Sequence, residues 1–269
     1  MNAAADTADS VHRSGWLDHA IRAGLVAYGV VHLLVALLAV QLAFGGKQED
    51  ASNSGALHYL AEQPFGEVLV WGVAVGMLLL VVWRLLEFAF GYPEESDDTK
   101  RWRKRATSLG KAVIYGALGW SAVKVAIGDG SKGGTDGTTA KIMQLPGGQL
   151  IVGAIGLAII GYGISLIVRG WTEKFREHLD AQGQSGQDGS AYVTLGKVGY
   201  IAKGVALGVI GGLFGYAAIT HRAKESGGLD QALQTVLEQP FGPVMLTAIG
   251  LGIGAYGLFC FARARHLSR

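Results

Sequence analysis

Charge is scarce in this chain, and so are cysteine and proline. Only 16% of the 269 residues are charged, against about 25% in an average soluble domain. The single cysteine, Cys260, excludes an intrachain disulfide and any cysteine-based metal cluster. With five prolines and no G-X-Y period, a collagen-like chain is also excluded. The net charge of +2 is too small to indicate nucleic acid as a partner.

Glycine and long apolar runs are what the chain has in abundance. Glycine accounts for 42 residues, and 50% of all residues are hydrophobic. Six apolar runs come close to the roughly 20 residues that cross a bilayer core. Backbone polar groups in lipid must be paired within the segment, so such runs must be helices. The sequence therefore predicts an all-α membrane bundle with six transmembrane helices, at residues 23–44, 66–90, 107–127, 148–169, 197–219 and 243–262.

The lysines and arginines predict how the helices are oriented. With the N-terminus inside, seventeen of the 23 basic residues face the cytoplasm. The positive-inside rule therefore predicts a multi-pass protein of the plasma membrane with both termini in the cytoplasm. The run KRWRKR, Lys100 to Arg105, lies in a connection on that side. We expect it to attract anionic lipid headgroups, with docking of a cytoplasmic protein as the alternative.

A pentapeptide, EQPFG, occurs twice in front of an apolar run, and a weaker copy, QLPGG, precedes a third run. Alignment on the three prolines divides the chain into three tandem hairpins of the same orientation, so we expect pseudo-threefold symmetry about the membrane normal. We interpret the motif as the outer entry of each second helix, with substrate binding as the alternative. The two full copies consist of Glu62, Gln63, Pro64, Phe65 and Gly66 and of Glu238, Gln239, Pro240, Phe241 and Gly242. The predicted divisions are a tail at 1–15, hairpins at 16–92, 106–172 and 195–269, and linkers at 93–105 and 173–194.

The repeats contain the stretches AGLVAYGVVHLLVALLA, GALHYLAEQPFGEVLVWGVAVGMLLLVVWRLLEFA and VGYIAKGVALGVIGGLFG. In these stretches the chain resembles the bacterial membrane family called domain of unknown function 1206, which is built from repeated two-helix hairpins. The resemblance spans residues 16–265 and is specific in the first and third hairpins. It implies the helical fold and a bacterial membrane location, and it implies no activity.

Ionisable residues inside a membrane are costly and are candidates for function. His32 lies near the middle of the first run, where a proton carrier, a ligand contact and a structural hydrogen bond all remain open. Arg84 and Glu87 are three residues apart on one helix and close enough to pair. In the repeat alignment, Glu87 corresponds to Arg169 and Arg263. We interpret these residues as a structural ion cluster or as a site for an anion or headgroup.

Two lysines and several glycines have simpler interpretations. We interpret Lys111 and Lys203 as snorkelling to the membrane interface. Glycines spaced by four predict contacts between helices through small residues. These are Gly72 with Gly76, Gly204 with Gly208 and Gly212, Gly211 with Gly215, and Gly250 with Gly254.

The sequence contains no phosphate-cradling loop, HExxH motif or nucleophile elbow, so we expect no enzyme, cofactor or metal. The leading prediction is a non-catalytic scaffold or accessory component of the cell envelope. The alternative is a small transporter or channel with a polar path between the hairpins, through His32 or the region of Arg84 and Glu87. A continuous water-filled cavity reaching His32 would favour the alternative. Besides the lipid bilayer, a protein partner or a second copy of the chain is left open.

Overall fold

The computed structural model describes residues 15–46, 50–91, 97–128, 135–222 and 226–267, so most of the predicted tail at 1–15 lies outside the described residues. Each hairpin contains a long helix, a short helix and a second long helix. Hairpin 1 contains α1 (Gly15–Ala43), α2 (Asn53–Ala61) and α3 (Gly66–Phe90); hairpin 2 contains α4 (Asp98–Ala126), α5 (Thr135–Met143) and α6 (Gly148–Trp171); hairpin 3 contains α7 (Gly186–Thr220), α8 (Leu229–Leu237) and α9 (Gly242–Arg265). A 3₁₀ helix, Lys174–His178, follows α6.

Five of the six long helices are long and apolar enough to cross a membrane, namely α1, α3, α6, α7 and α9. The all-α membrane fold is therefore confirmed. The predicted span at 107–127 lies within α4, which has 29 residues but is not among the five. Its first turns contain the basic run at 100–105, and its apolar part contains Lys111 and Lys124. The sixth span stays a prediction.

The long helices pack side by side in the order α4, α3, α1, α9, α7, α6. Hairpins 1 and 3 are each closed by contact between their own two long helices. In hairpin 2 the two long helices, α4 and α6, scarcely touch. We call this gap between α4 and α6 the seam. We call the end covered by α2, α5 and α8 the cap end, and the end where α3, α6 and α9 finish the linker end.

Small residues explain why hairpins 1 and 3 close. A Cβ added to Gly24 would lie 2.7 Å from the carbonyl oxygen of Gly76, and one added to Gly76 would lie 2.6 Å from the Cβ of Ala27. The same contact recurs in hairpin 3 between Gly252 and Ala202. Glycine and alanine let two backbones approach closely, which is how helices associate where lipid supplies no hydrophobic drive.

Hairpin 2 has larger residues at the same positions of the repeat. Lys111 stands where the other hairpins have Gly24 and Gly199, and Ile114 stands where they have the two alanines. On the facing helix, Ala158 replaces the glycine. These side chains would collide at the separation found in the other two hairpins, so α4 and α6 remain apart. The seam therefore follows from the sequence of the second repeat.

The repeated pentapeptide forms the corner between a short helix and the long helix that follows it. The N–H of Gly66 donates to the carbonyl of Gln63 at 2.7 Å, and Phe65 between them is left-handed with φ of 62°. This is a type II arrangement with Pro64 at its second position. The side-chain amide of Gln63 donates to the carbonyl of Tyr59 at 3.1 Å. Gln63 thus completes the end of α2.

The last glycine of the motif is required by close approach of the backbone. A Cβ on Gly66 would overlap the carbonyl oxygen of Ala61. Gly242 stands in the same relation to Leu237, and Gly148 to Ile142. The same kind of corner therefore occurs in all three hairpins, including hairpin 2, whose motif is QLPGG rather than EQPFG.

The glycine spacing identified only part of the packing between helices. On α7, a Cβ on Gly204 would lie 2.6 Å from the carbonyl oxygen of Gly163, and one on Gly211 would lie 2.7 Å from that of Gly156. Glycines seven apart return to nearly the same helix face after two turns, and Gly250 and Gly254, four apart on α9, both face Ala36 of α1. Four other glycines of the predicted stripes have no neighbour within 4 Å of an added Cβ, namely Gly72, Gly208, Gly212 and Gly215.

Two glycines of α7 provide a test of this packing. A Cβ on Gly199 would lie 2.6 Å from the Cα of Tyr256, whereas one on Gly208 would meet nothing within 4 Å. We expect Gly199→Ala to lower the free energy of unfolding by about 1–3 kcal/mol through overpacking. Gly208→Ala should not lower it, since alanine favours a helix. Thermal unfolding in detergent measures both, and equal midpoints would contradict the packing described.

Candidate functional site

A polar cavity of about 40 Å³ lies inside the bundle, towards the linker end. Every one of the six long helices contributes to its wall, and so does the 3₁₀ helix. Its space suffices for a few water molecules or a small ion. The wall consists of Tyr28, Arg84, Lys111, Ile114, Tyr115, Tyr162, Leu166, Arg169, His178, Tyr200, Lys203, Tyr256 and Arg263.

Arg84 meets at this cavity with the two arginines that align with Glu87 in the repeat. Arg84, Arg169 and Arg263 all line its wall. Glu87 forms an ion pair with Arg84, whose side chain is 4% exposed, at 2.5 Å. The Ser108 hydroxyl on α4 donates to the same carboxylate oxygen at 2.9 Å. The predicted contact between Glu87 and an arginine is thereby confirmed.

His32 lies directly behind the wall, in contact with two residues that line the cavity. Its Nδ1 lies 2.9 Å from the carbonyl oxygen of Tyr28, and its Nε2 lies 3.1 Å from Nζ of Lys203. A carbonyl only accepts and an ammonium only donates, so Nδ1 carries the proton and the ring is neutral. Lys203 also donates to the Tyr28 hydroxyl at 2.6 Å. His32 is thus connected by hydrogen bonds to two wall residues, and the cavity itself does not extend to it.

Lys203 does not snorkel, contrary to the interpretation of the sequence. Besides its two hydrogen bonds, its Nζ lies 4.2 Å from the ring centroid of Tyr256 and 4.8 Å from that of Tyr28. Hydroxyl and imidazole acceptors together with aromatic faces hold the ammonium inside the bundle. The repeat alignment contained a signal, because Lys203 falls in the same column as Tyr28 and Tyr115. Lys111 likewise turns into the cavity.

The 3₁₀ helix covers the linker end of the cavity, and we call Lys174–His178 the lid. Phe175 of the lid is fully buried. Its ring stacks on Tyr200 at 5.3 Å between centroids and meets Phe259 edge-on at 5.2 Å. His178 extends from the lid to the cavity wall. The lid therefore closes the cavity by inserting an aromatic ring between α7 and α9.

The chain after the lid is tied to the end of α9. Leu179 and Leu267 form an antiparallel bridge, and the Asp180 N–H donates to the carbonyl of His266 at 3.0 Å. Burial, with the positive charge of Arg263 next, lowers the pKa of His178. A neutral His178 adds no positive charge to the cavity.

Positive charge in this cavity exceeds what the described residues neutralise. Lys111, Arg169 and Arg263 form no hydrogen bond or ion pair with any residue that the structure describes. Arg263 is only 7% exposed, and its buried Nε has no acceptor. Leaving a buried charge without its partner costs about 3–5 kcal/mol. A cation–π contact with the ring of Trp83, whose centroid lies 5.7 Å from Arg263, offsets about 0.5–2 kcal/mol of this cost. The arrangement suits an anion.

The EQPFG residues lie apart from this cavity. They form the corners between the short helices and α3 and α9, at the cap end, and none of them lines the wall. Phe65 and Phe241 are 85% and 82% exposed at these corners. Their surroundings indicate a structural role at the ends of the helices.

Comparisons with known proteins agree with the repeat. A family model described as Domain of Unknown Function (DUF1206) matches residues 23–91, 106–173 and 198–266, one hairpin each. A Bacillus subtilis (strain 168) protein named Uncharacterized protein YxxB is 26% identical over 250 residues, which cover 92% of this chain and 90% of that protein. No solved structure matches. The three predicted repeats are confirmed, and neither match names an activity.

The pair between Arg84 and Glu87 yields a test of charge balance at the site. Glu87→Gln leaves Arg84 as a further buried cation, so we expect a loss of about 3–5 kcal/mol in the free energy of unfolding. The double variant Glu87→Gln with Arg84→Gln should lose less than Glu87→Gln alone. Thermal or denaturant unfolding in detergent measures the difference.

Arg101 and Asp98 provide the matched control, because they form a pair of the same spacing with side chains 31% and 85% exposed. Their coupling should stay below about 1 kcal/mol. Additive losses for the Arg84 and Glu87 variants would show that this pair is not needed to balance charge.

Proposed function

We propose that this chain, which belongs to the domain of unknown function 1206 (DUF1206) family, is a small membrane transporter that takes a polar solute into the cavity between its three hairpins. The cavity carries the proposal. A protein that acts only as a scaffold needs no polar interior, and polar groups inside a membrane are costly to maintain. His32 is not part of the cavity wall, but the hydrogen bond that it accepts from Lys203 extends the polar region from the cavity to this histidine.

The scaffold is the second candidate, and one observation favours it. Beyond His32, towards the cap end, a layer of apolar side chains lies inside the described bundle. Val35, Ala39, Leu246 and Ile249 are buried there. A transporter must open this layer in a second conformation, in which the hairpins rock against one another around the site. A scaffold never opens it.

We also propose that the linker end faces the cytoplasm and that the membrane is the bacterial plasma membrane. The distribution of basic residues supports this orientation. The first turns of α4 contain the run from Lys100 to Arg105, where Trp102 is 63% exposed. A basic, aromatic helix start at this level suits contact with anionic headgroups. We include neither catalysis nor nucleic-acid binding in the proposal.

Thiol labelling distinguishes the two candidates. Leu166 lines the cavity and is uncharged, so Leu166→Cys in a Cys260→Ser background reports access without removing a charge. We expect a small membrane-impermeant thiol reagent to modify it from the linker side and, at a lower rate, from the cap side. Membrane vesicles of both orientations supply the two measurements.

Two other positions on α6 are the controls. Val152→Cys lies in the packed interior outside the cavity wall, and Leu157→Cys lies at a position 71% exposed to the surroundings of the bundle. Neither should react, since one is packed and the other faces lipid. Modification of Leu166→Cys from one side alone would rule out transport by alternating access, and modification from neither side would indicate a scaffold.

A further inference from the structure

We infer that the cavity binds a phosphoryl oxyanion, held by Lys111, Arg169 and Arg263 and reached through the seam between α4 and α6. The inference rests on the proposed function only in placing the ligand in the same cavity. Its own basis is the pattern of charges there, the shape of the donors and the missing contact within hairpin 2.

The charges of the cavity fall into two groups. Arg84 is paired with Glu87, and Lys203 is bound to Tyr28 and His32. Lys111, Arg169 and Arg263 have no acceptor among the described residues. A cation that is nine-tenths buried and lacks an acceptor, as Arg263 is, marks a place where a bound anion completes the structure. The three come from α4, α6 and α9, so they approach one point from different directions.

The donors fit a tetrahedral oxyanion better than a halide or a lone carboxylate. Two guanidiniums present planar forks that match the oxygen atoms of phosphate, while the Lys111 ammonium adds a point charge. The hydroxyls of Tyr115 and Tyr162 line the same wall and are further donors.

The seam supplies a side entrance to this site. Lys111, Ile114 and Tyr115 lie on its α4 side, and Tyr162 and Arg169 lie on its α6 side. Ile114 and Tyr162 are 44% and 37% exposed. The lid covers the linker end, so a lateral gap is the open route for a phosphate whose remaining atoms stay in the bilayer. The same phosphoryl chemistry is offered by a phospholipid headgroup and by free inorganic phosphate.

The site is small, and its volume limits the size of the ligand. A space of about 40 Å³ accommodates a phosphate and little more. A free sugar phosphate or nucleotide would exceed it unless the remainder extended out through the seam. A phospholipid satisfies this condition, because its acyl chains continue into the membrane.

The experiment measures thermal unfolding of the full chain, purified in a phosphate-free detergent, against added ligand at constant ionic strength. The probes are inorganic phosphate, phosphatidylglycerol in mixed micelles, and diacylglycerol as the lipid that lacks a phosphoryl group. Chloride is the reference anion. We expect phosphatidylglycerol or phosphate to raise the unfolding midpoint, and diacylglycerol and chloride to leave it unchanged.

Arg169→Gln tests the site, and Arg265→Gln is its control, an exposed arginine in the last turn of α9 that lies outside the cavity. Arg169→Gln should weaken the apparent Kd for the stabilising ligand at least tenfold, while Arg265→Gln leaves it unchanged. Without ligand, Arg169→Gln should unfold no lower than the native chain, because it removes repulsion among the cations of the cavity wall. Arg169→Lys keeps the charge and loses the fork, so it should retain a weaker response.

The outcomes separate the sources. Stabilisation by both probes indicates a site for free oxyanion that also accepts a headgroup, and stabilisation by phosphatidylglycerol alone indicates a lipid headgroup site. No response beyond chloride and diacylglycerol, or an unchanged response in Arg169→Gln, would overturn the inference. If phosphate binds but Leu166→Cys is reached from one side only, the transport function fails and this site stands. If Leu166→Cys is reached from both sides and no phosphoryl ligand binds, the transport function stands and this site fails.

Discussion

Positive charge enclosed by a membrane protein is the constraint on which this structure depends. A buried cation must find an acceptor, since the surrounding helices and lipid offer no water to replace one. The chain satisfies Arg84 with Glu87 and Ser108, and it satisfies Lys203 with a tyrosine and a histidine. The remaining cations of the cavity wall are left facing a small polar space. That imbalance is the basis for our inference that the cavity binds an anion.

The seam beside the cavity exists because the second repeat differs from the other two where its helices would touch. Glycine and alanine draw the two helices of hairpin 1 together, and the same residues do so in hairpin 3. In hairpin 2, Lys111 and Ile114 occupy those positions, so the helices stay apart and a lysine enters the gap. Divergence of a single repeat thus supplies both an opening and a charge, while the corners formed by Gly66, Gly148 and Gly242 keep all three hairpins alike.

Much of the fold could be predicted from the sequence because it depends on local properties. Length and hydropathy predict the helices, and the repeated proline and glycine predict the corners between them. The pairing of Arg84 with Glu87 follows from helical spacing alone. The residues around Lys203 depend on which helices become neighbours, and the sequence does not show this. The interpretation that Lys203 snorkels to the interface was therefore wrong.

Two features of the site lay beyond the sequence for the same reason. The lid owes its position to Phe175 packing on α7 and α9, contacts between residues far apart in the chain. The seam is a missing contact, and a pattern of glycines indicates where helices can approach but not where they fail to. Comparing the three repeats column by column, at Lys111 and Lys203, is the step that anticipates both lysines.

The most direct test of the account is an experimental structure of the protein purified from its membrane with native lipid retained. The account predicts density in the cavity within hydrogen-bonding distance of Arg169 and Arg263, with α4 and α6 still apart. A dry site would contradict it, with α4 packed against α6 and the guanidinium of Arg263 bound to a carboxylate of the protein itself.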